Sequence, residues 1–200
     1  APQQEIVSVL IPPGFSVKQI AERMEACKVC TKKDFLKAVN EADFSSFPLV
    51  SQITNLSKRC YRLEGYLYPD TYQFYTNSSA ESVIRKILQN TEKKINGKYS
   101  YSGKTIDEII TIASLIEEEG GGGPEGNKIA TVIYNRLKKG MPLQLDATVL
   151  YLEKQLEPAD TQKYKTYYNT YNRNPHTGAP YQCPALPAGP ICSPSASSLK

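Results

Sequence analysis

Hydrophobic positions recur along the chain first with a period of two and then with a period near 3.6. The stretch "EIVSVL" alternates polar and apolar residues and stops at Pro-Pro-Gly, which predicts a strand and a turn. The segments "SVKQIAERMEACKV" and "TKKDFLKAVNEADF" follow with helical spacing, and Ser16 and Thr31 are suitable N-caps. The aromatic stretch 62–75 predicts an extended segment. Strand, helix, helix and strand in this order predict a small α+β module.

The second half of the chain predicts mainly helices. Apolar residues at helical spacing mark four segments: 79–95, 105–119, 127–140 and 144–156. Thr105 and Glu108 have the spacing of a capping box. The Gly-rich stretch 120–126 predicts a flexible loop, and the tail from 157 predicts irregular structure. The expected fold class is α+β, in which a small βααβ module precedes a mainly helical domain with irregular loops.

Composition narrows the class of protein. With 200 residues, of which 40% are hydrophobic and 22% charged, the chain has ordinary globular proportions. A net charge of +4 is too small to indicate nucleic acid by itself, and no nucleic-acid motif is present. No apolar run reaches membrane-spanning length. We therefore expect no nucleic-acid partner and no spanning helix in the printed sequence.

The five cysteines allow three interpretations: a redox motif, a zinc site or disulfides. The pair in "CKVC" (27–30) lies between two helical patterns rather than after a strand, which disfavours a redox motif. A zinc site needs more ligands, and the single histidine, His176, has no partner in the motifs and is expected at the surface. Structural thiols or disulfides remain, and Cys183 and Cys192 flank a Pro-rich loop that a disulfide can close. We expect no metal and no cofactor.

Three glutamates end the apolar helix predicted at 105–119, where the helix dipole disfavours them. On the helical count Glu118 points away from the apolar face, while Glu117 and Glu119 lie on its two edges. Two isoleucines extend the apolar surface toward Glu117, which favours it as a half-buried acid. A carboxyl held against an apolar wall keeps its proton more readily and can act as a general acid near neutral pH. A frayed, solvated helix end is the alternative.

A series of motifs in fixed order resembles the MltG-type (YceG-like) endolytic murein transglycosylases. The motifs are "LEGYLYPDTY", "ASLIEEE", "IATVIYNRL", "GMPLQLDATVLY", "YNTY" and "LPAGPICSP", and the resemblance covers roughly residues 5–200. The opening strand-helix-helix-strand order resembles a LysM-type glycan-binding module. The resemblance implies peptidoglycan glycan strands as substrate and cleavage of MurNAc-GlcNAc bonds with formation of 1,6-anhydro-MurNAc ends, which terminates nascent strand elongation. It also implies peptidoglycan synthases as partners.

The resemblance also implies a domain organisation and a location. Residues 1–76 are expected to form the LysM-like module and 77–200 the catalytic domain. The family pattern continues into a β-rich segment past Lys200, so the domain is expected to be truncated at its C-terminus. A membrane anchor is expected upstream of Ala1, in a single-pass membrane protein with this part on the extracytoplasmic side. The four glycines at 120–123 replace a more polar family loop and mark an altered edge of the site.

By the resemblance, the catalytic glutamate of the family, the first acid after the apolar run, falls on Glu117. One acid suffices for a lytic transglycosylase because the same group first protonates the leaving oxygen and then takes the proton of the muramoyl C6 hydroxyl. Ordinary glycosidases need two carboxylates. Substrate-binding residues are expected at the helix end and in later motifs: Glu119, Asn135, Arg136, Gln144, Asp146, Thr148, Tyr168, Asn169, Thr170 and Tyr171.

Each of these residues also has a structural interpretation. Glu119 is otherwise a solvated acid, Arg136 a surface arginine rather than a partner of a carboxylate, and Asp146 the N-cap of the next helix. The "YNTY" residues otherwise pack a loop. Two alternatives stay open for the function: a non-catalytic peptidoglycan-binding or scaffold protein, and a hydrolase that pairs Glu117 with Asp146. We expect one cleft walled by the 105–119 helix end, "LQLDAT", "YNTY" and "LPAGPI".

Overall fold

A computed structural model gives the fold and describes residues 3–155, 163–165, 167–171 and 186–200. The elements are β1 Ile6–Leu10, α1 Val17–Ala26, α2 Lys32–Glu41, α3 Pro48–Ser51, β2 Thr71–Tyr75, α4 Ala80–Ile95, α5 Ile106–Glu119, α6 Gly123–Lys138, α7 Asp146–Gln155 and α8 Ala196–Leu199. No helix in these ranges combines the length and the apolarity that crossing a bilayer requires. The α+β class expected from the sequence is confirmed.

The two strands pair antiparallel, with Ile6 opposite Tyr75 and Leu10 opposite Thr71. Burial alternates along β2, so the period-two pattern marks one side that faces the core. The expected extended stretch is shorter than predicted, because residues 62–70 form turns and bends before the strand starts.

The helix starts follow the local capping signals in most cases. The Ser16 hydroxyl accepts from the Gln19 backbone N–H, and Thr105 and Glu108 make the expected capping box. Two expectations are wrong. Residues 120–126 are not all loop, since α6 begins at Gly123 with proline in its first turn. Asp146 is the first residue of α7 rather than its N-cap, so its carboxylate lies inside the first turn.

Helix α5 lies at the centre of the hydrophobic core. Every residue from Ile109 to Ile116 is buried, so the middle of this helix has no side that faces solvent. The core is one cluster that runs from Val9 in β1 to Leu199 in α8. Side chains from both sides of residue 76 therefore share it. The boundary expected at that position stays a prediction.

Polar contacts also connect the first part of the chain to the last. The backbone of the loop before α1 exchanges two hydrogen bonds with Ser193, from Gly14 N at 2.8 Å and to Phe15 O at 2.9 Å. The Arg59 guanidinium lies 2.5 Å from Oδ2 of Asp107 at the start of α5. These contacts connect the loop before α1 to Ser193 and the turn at Arg59 to the start of α5.

Candidate functional site

The Glu117 side chain is half-buried at the end of α5, as expected. Its Oε2 atom accepts hydrogen bonds from the hydroxyls of Ser195, at 3.1 Å, and Ser198, at 2.5 Å. Ser195 is the N-cap of α8, and its hydroxyl also accepts from the Ser198 backbone N–H. A short helix from the end of the chain therefore turns the Glu117 carboxylate toward itself.

A cavity of about 330 Å³, the α5–α7 cleft, lies beside this helix end. Glu118 and Glu119 line it from α5, and Asp146 and Lys154 line it from α7. The loop before α1 and Ile191 complete the wall. Three of the four segments expected there, the end of α5, "LQLDAT" and "LPAGPI", thus line one cleft, while no residue of "YNTY" (168–171) lines it. Glu117 does not line this cleft either, since its Oε2 atom faces the two serines.

Glu118 is exposed, as expected from its position opposite the apolar face, and it lines the α5–α7 cleft. Burial raises the pKa of Glu118, and the carboxylates of Glu117 and Glu119 raise it further, while a hydrogen bond with Cys192 and the Lys154 ammonium oppose the shift. Burial therefore favours the protonated form of the Glu118 side chain.

A second cavity, of about 470 Å³, lies between α5 and α6 and is called the α5–α6 cavity. Asn135 lines it, together with Tyr101 and Tyr134, whose stacked rings have centroids 4.4 Å apart. Ser198, one of the two donors to Glu117, lines it as well. Neighbours of Glu117 thus line both cavities: Glu118 and Glu119 line the α5–α7 cleft, and its hydrogen-bond donor Ser198 lines the α5–α6 cavity.

The motifs "LQLDAT" and "YNTY" are joined by hydrogen bonds. Thr170 accepts from the Gln144 backbone N–H through its carbonyl at 3.1 Å, and its hydroxyl lies 3.0 Å from the Thr148 hydroxyl. Both threonines are buried. The Tyr171 hydroxyl donates to Oδ1 of Asp146. These contacts place Tyr171 and Asp146 together at the edge of the α5–α7 cleft, while the threonines hold the two loops in place.

Other expected binding residues have mainly internal contacts. Arg136 Nη1 donates to the Pro142 carbonyl at 3.0 Å and to Gln144 Oε1 at 3.2 Å, and it pairs with no carboxylate within the described ranges. Tyr168 is 1% exposed and packs its ring against Tyr151, with centroids 5.5 Å apart. Asn169 accepts from the Tyr171 backbone N–H at 2.9 Å. These residues shape the loops around the cleft.

The cysteines form no metal site in the part of the chain that the structure describes, where no cluster of potential metal ligands occurs. Cys27, Cys30, Cys60 and Cys192 are free thiols. Burial raises the pKa of Cys30 to about 11, which makes its thiol unreactive near neutral pH. The disulfide considered for Cys192 is absent, because its thiol donates to the Ser114 carbonyl at 3.4 Å. Cys183 and His176 lie outside the described residues.

The sequence analysis missed several residues of the site. Ser195 and Ser198 contact the expected catalytic acid but lie in the plain stretch "SPSASSLK", which carries no chemical signature. Ser16 was identified only as a helix cap, although it also lines the α5–α7 cleft. Glu64, buried in "LEGY", accepts from the Val17 backbone N–H at 2.8 Å and has its pKa raised to about 8 by burial. The only indication of Glu64 in the sequence is that an acid stands in the otherwise uncharged motif "LEGY".

The curated relatives that resemble this chain share one name, endolytic murein transglycosylase. An endolytic murein transglycosylase of Streptococcus pneumoniae (serotype 2, strain D39) is 32% identical over 215 residues, which cover 100% of this chain and 39% of that protein. One of Bacillus subtilis (strain 168) is 31% identical over 201 residues, which cover 95% of this chain and 54% of that protein. The chain thus spans between two fifths and about half the length of these curated relatives.

A solved structure and a family model agree with these relatives. The crystal structure of a YceG-like protein from Listeria monocytogenes has a TM-score of 0.77 and 31% identity with this chain, and the match covers 96% of this chain and 65% of that one. The model of the YceG-like family matches residues 1–200. A family match over this whole range, together with relatives above 30% identity, shows that the chain belongs to the YceG-like family.

Proposed function

We propose that the chain is the glycan-cleaving part of an endolytic murein transglycosylase, which breaks MurNAc-GlcNAc bonds in peptidoglycan strands. The observation that carries the proposal is the half-buried Glu117 carboxylate, which Ser195 and Ser198 hold through Oε2, next to residues that line two cavities with polar and aromatic side chains. The relatives named endolytic murein transglycosylase support the same reaction. The assignment of Glu117 rests on its place as the first acid after the apolar run.

In the proposed reaction, Glu117 gives its proton to the glycosidic oxygen as the bond from that oxygen to the muramoyl C1 breaks. The resulting carboxylate takes the proton of the C6 hydroxyl as O6 bonds to C1. The 1,6-anhydro ring closes, no water is consumed, and Glu117 returns to its starting form. The carboxylates of Glu119 and Asp146 at the cleft can stabilise the positive charge that develops on the sugar ring.

The exposed members of the expected binding set are proposed to contact the glycan directly, namely Glu119, Asn135, Gln144, Asp146 and Tyr171. The half-buried Asn169 and Arg136 are proposed to fix the loops that carry these groups. Thr148, Tyr168 and Thr170 are buried, so they are proposed to support the cleft from behind. Substitution of the first group should weaken substrate binding, whereas substitution of the buried group should first lower the stability of the fold.

The test is mass spectrometry of glycan strands digested by the whole protein, with any residues outside the printed sequence kept. Glu117→Gln should abolish formation of anhydro ends while the circular dichroism spectrum stays unchanged. Glu125→Gln is the matched control, because Glu125 is an exposed acid on the neighbouring helix that pairs only with Lys128. Glu118→Gln tests the rival acid, whose pKa is raised by burial. Loss of product in that variant alone would move the catalytic role to Glu118.

The products also separate the alternative functions. Anhydro ends support the lyase, and reducing ends support a hydrolase that uses Glu117 with Asp146. Binding of strands without any product supports a non-catalytic binding or scaffold protein. The three outcomes differ by the mass of one water or by the absence of cleavage, so a single digest decides among them.

We further propose that residues 1–76 are a LysM-like glycan-binding module and residues 77–200 the catalytic domain. The strand-helix-helix-strand order of β1, α1, α2 and β2 supports the first assignment. Limited proteolysis should cut near residues 76–80. A first stable fragment that begins inside 31–60 would contradict this boundary.

The proposed place of action is the extracytoplasmic face of the cell membrane, where peptidoglycan strands are made. There the protein is proposed to end the elongation of nascent strands beside peptidoglycan synthases, held by a single membrane anchor. The support is that the relatives are named for murein, which is peptidoglycan. Fractionation of cells with an antibody against this chain, followed by crosslinking to synthases, tests both parts.

A further inference from the structure

Two serine hydroxyls converge on one oxygen of the acid at the end of α5. Ser198 Oγ lies 2.5 Å and Ser195 Oγ 3.1 Å from Glu117 Oε2. Ser195 accepts from the Ser198 backbone N–H. Its single hydroxyl hydrogen has two acceptors in reach, Glu117 Oε2 at 3.1 Å and Ser198 Oγ at 3.3 Å, of which the carboxylate is the nearer and the charged one. Oε1 of Glu117 receives no hydrogen bond from the part of the chain that the structure describes. The two oxygens of this carboxyl group are therefore in different surroundings.

This asymmetry decides where a proton can reside. An oxygen that already accepts two O–H donors cannot carry a hydrogen of its own without losing one of them. In the protonated acid the hydrogen therefore sits on Oε1, and Oε2 is the carbonyl oxygen. In the ionised form both serine bonds become stronger, because hydrogen bonds to a charged acceptor are shorter and stronger than neutral ones.

We propose that Ser198, assisted by Ser195, is a positioning residue that fixes the transferable proton on Oε1 of Glu117. The inference rests on the proposed function, in which Glu117 is the acid. Oε1 gives its proton to the glycosidic oxygen and later takes the C6 hydroxyl proton, while Oε2 keeps both serine bonds throughout. Neither serine is consumed or ionised, so the reaction stays balanced as written above.

Ser198 is the better residue to test, since Ser195 also caps α8. Ser198→Ala removes one donor to the carboxylate and so disfavours its ionised form. We expect kcat to fall about tenfold or more while KM changes little, since a hydrogen bond to a charged group is lost at the reacting acid. We expect the alkaline limb of the kcat profile to move to higher pH, because the charged form of the acid loses one hydrogen bond.

Matched variants separate positioning from folding. Ser198→Thr keeps the hydroxyl and should restore both kcat and the pH profile. Ser197→Ala, at the exposed neighbour that makes no bond to the carboxylate, should behave like the natural protein. The titratable groups that sense Glu117 are Glu118 and Cys192, and both are retained in every variant.

A final measurement, an NMR titration, does not depend on enzymatic turnover. The side-chain carboxyl 13C signal of Glu117, assigned by its loss in Glu117→Gln, should titrate at higher pH in Ser198→Ala than in Ser197→Ala. Equal titration midpoints and an unmoved pH profile would overturn the inference, even if Glu117→Gln is inactive. An active Glu117→Gln variant would instead overturn the proposed function, so the two failures are distinguishable.

Discussion

The Ser16 hydroxyl donates to Oε1 of Gln155 at 2.7 Å, across 139 positions of sequence. The same hydroxyl accepts from the Gln19 backbone N–H and so caps α1. Near it, Lys18 Nζ reaches the Lys154 carbonyl at 3.3 Å. The last turn of α7 and the first turn of α1 are therefore held together where both line the α5–α7 cleft.

Ser16→Ala should lower the free energy of unfolding more than loss of a helix cap alone. Loss of a serine cap costs about 1 kcal/mol. Loss of the partly buried bond to Gln155 should add about 1 kcal/mol. Urea denaturation measures the sum, and Thr31→Ala is the control, because Thr31 caps α2 by the same bond but is exposed. Equal losses in the two variants would show that the bond to Gln155 adds nothing.

Glu64 should make the protein less stable as the pH rises. The side chain is 1% exposed, and burial raises its pKa from the ordinary 4.5 to about 8. Between these values the folded protein binds a proton that the unfolded chain has lost, so stability falls as the pH rises through this window. Above about pH 8 the loss is complete and amounts at most to about 5 kcal/mol.

Glu64→Gln should remove most of this pH dependence, since an amide can still accept from the Val17 backbone N–H without ionising. Tyr151 and Glu118 are the titratable neighbours of Glu64, and both stay in the variant. Urea denaturation at pH 5 and pH 8.5 measures the effect, and Glu153→Gln, at an exposed position of α7, is the control. Parallel pH slopes in all three proteins would contradict the assignment.

Removal of one partner of the Arg59–Asp107 ion pair should lower the stability of the fold strongly. The Arg59 side chain is 1% exposed, and the Tyr66 hydroxyl donates to the other oxygen of the same carboxylate. Asp107→Ala leaves a buried, unpaired guanidinium, which costs about 3–5 kcal/mol. Thermal unfolding measures this loss of stability. The matched control is Glu81→Ala, which breaks the exposed pair with Arg85 and should cost about 0.5 kcal/mol or less.

Gly65 should tolerate no side chain. Its φ is +87°, and a Cβ atom there would lie 2.3 Å from Cβ of Pro190. Gly65→Ala should therefore cost about 2–4 kcal/mol, from backbone strain and from the clash. Gly97→Ala is the control, because Gly97 has a φ of +72° and open space around it, so only the strain of about 1 kcal/mol applies. A loss in Gly65→Ala no larger than in the control would show that Pro190 moves aside freely.

The sequence predicted the elements whose signals are local. Ser16, Thr31, Ser79 and Thr105 each cap the helix expected to follow them, because a cap and its partner lie within one turn. The convergence of "LQLDAT" and "LPAGPI" on the end of α5 followed from the motif series. The half-buried position of Glu117 followed from the apolar residues beside it.

The rest depended on contacts between distant residues. The helical count predicted the exposed position of Glu118 but not its place in the cleft, because the other walls come from α7 and Ile191, which are distant in sequence. The direction of the Glu117 carboxylate is set by Ser198, which lies 81 positions later. Arg136 binds carbonyl groups of the following loop, whose path no periodicity describes.

The backbone bonds between Gly14 and Ser193 have a consequence for the order of events during synthesis. The loop before α1 leaves the ribosome early, but its hydrogen-bond partner is made almost at the end of the printed sequence. At about 5–20 residues per second, the loop waits roughly 10–40 s for that partner. During this time Glu64 and the cleft side of α1 lack their cover from Tyr151 and the 186–193 segment. The nascent first half therefore depends on its own short-range contacts, and closure of the cleft is a late, long-range step in folding.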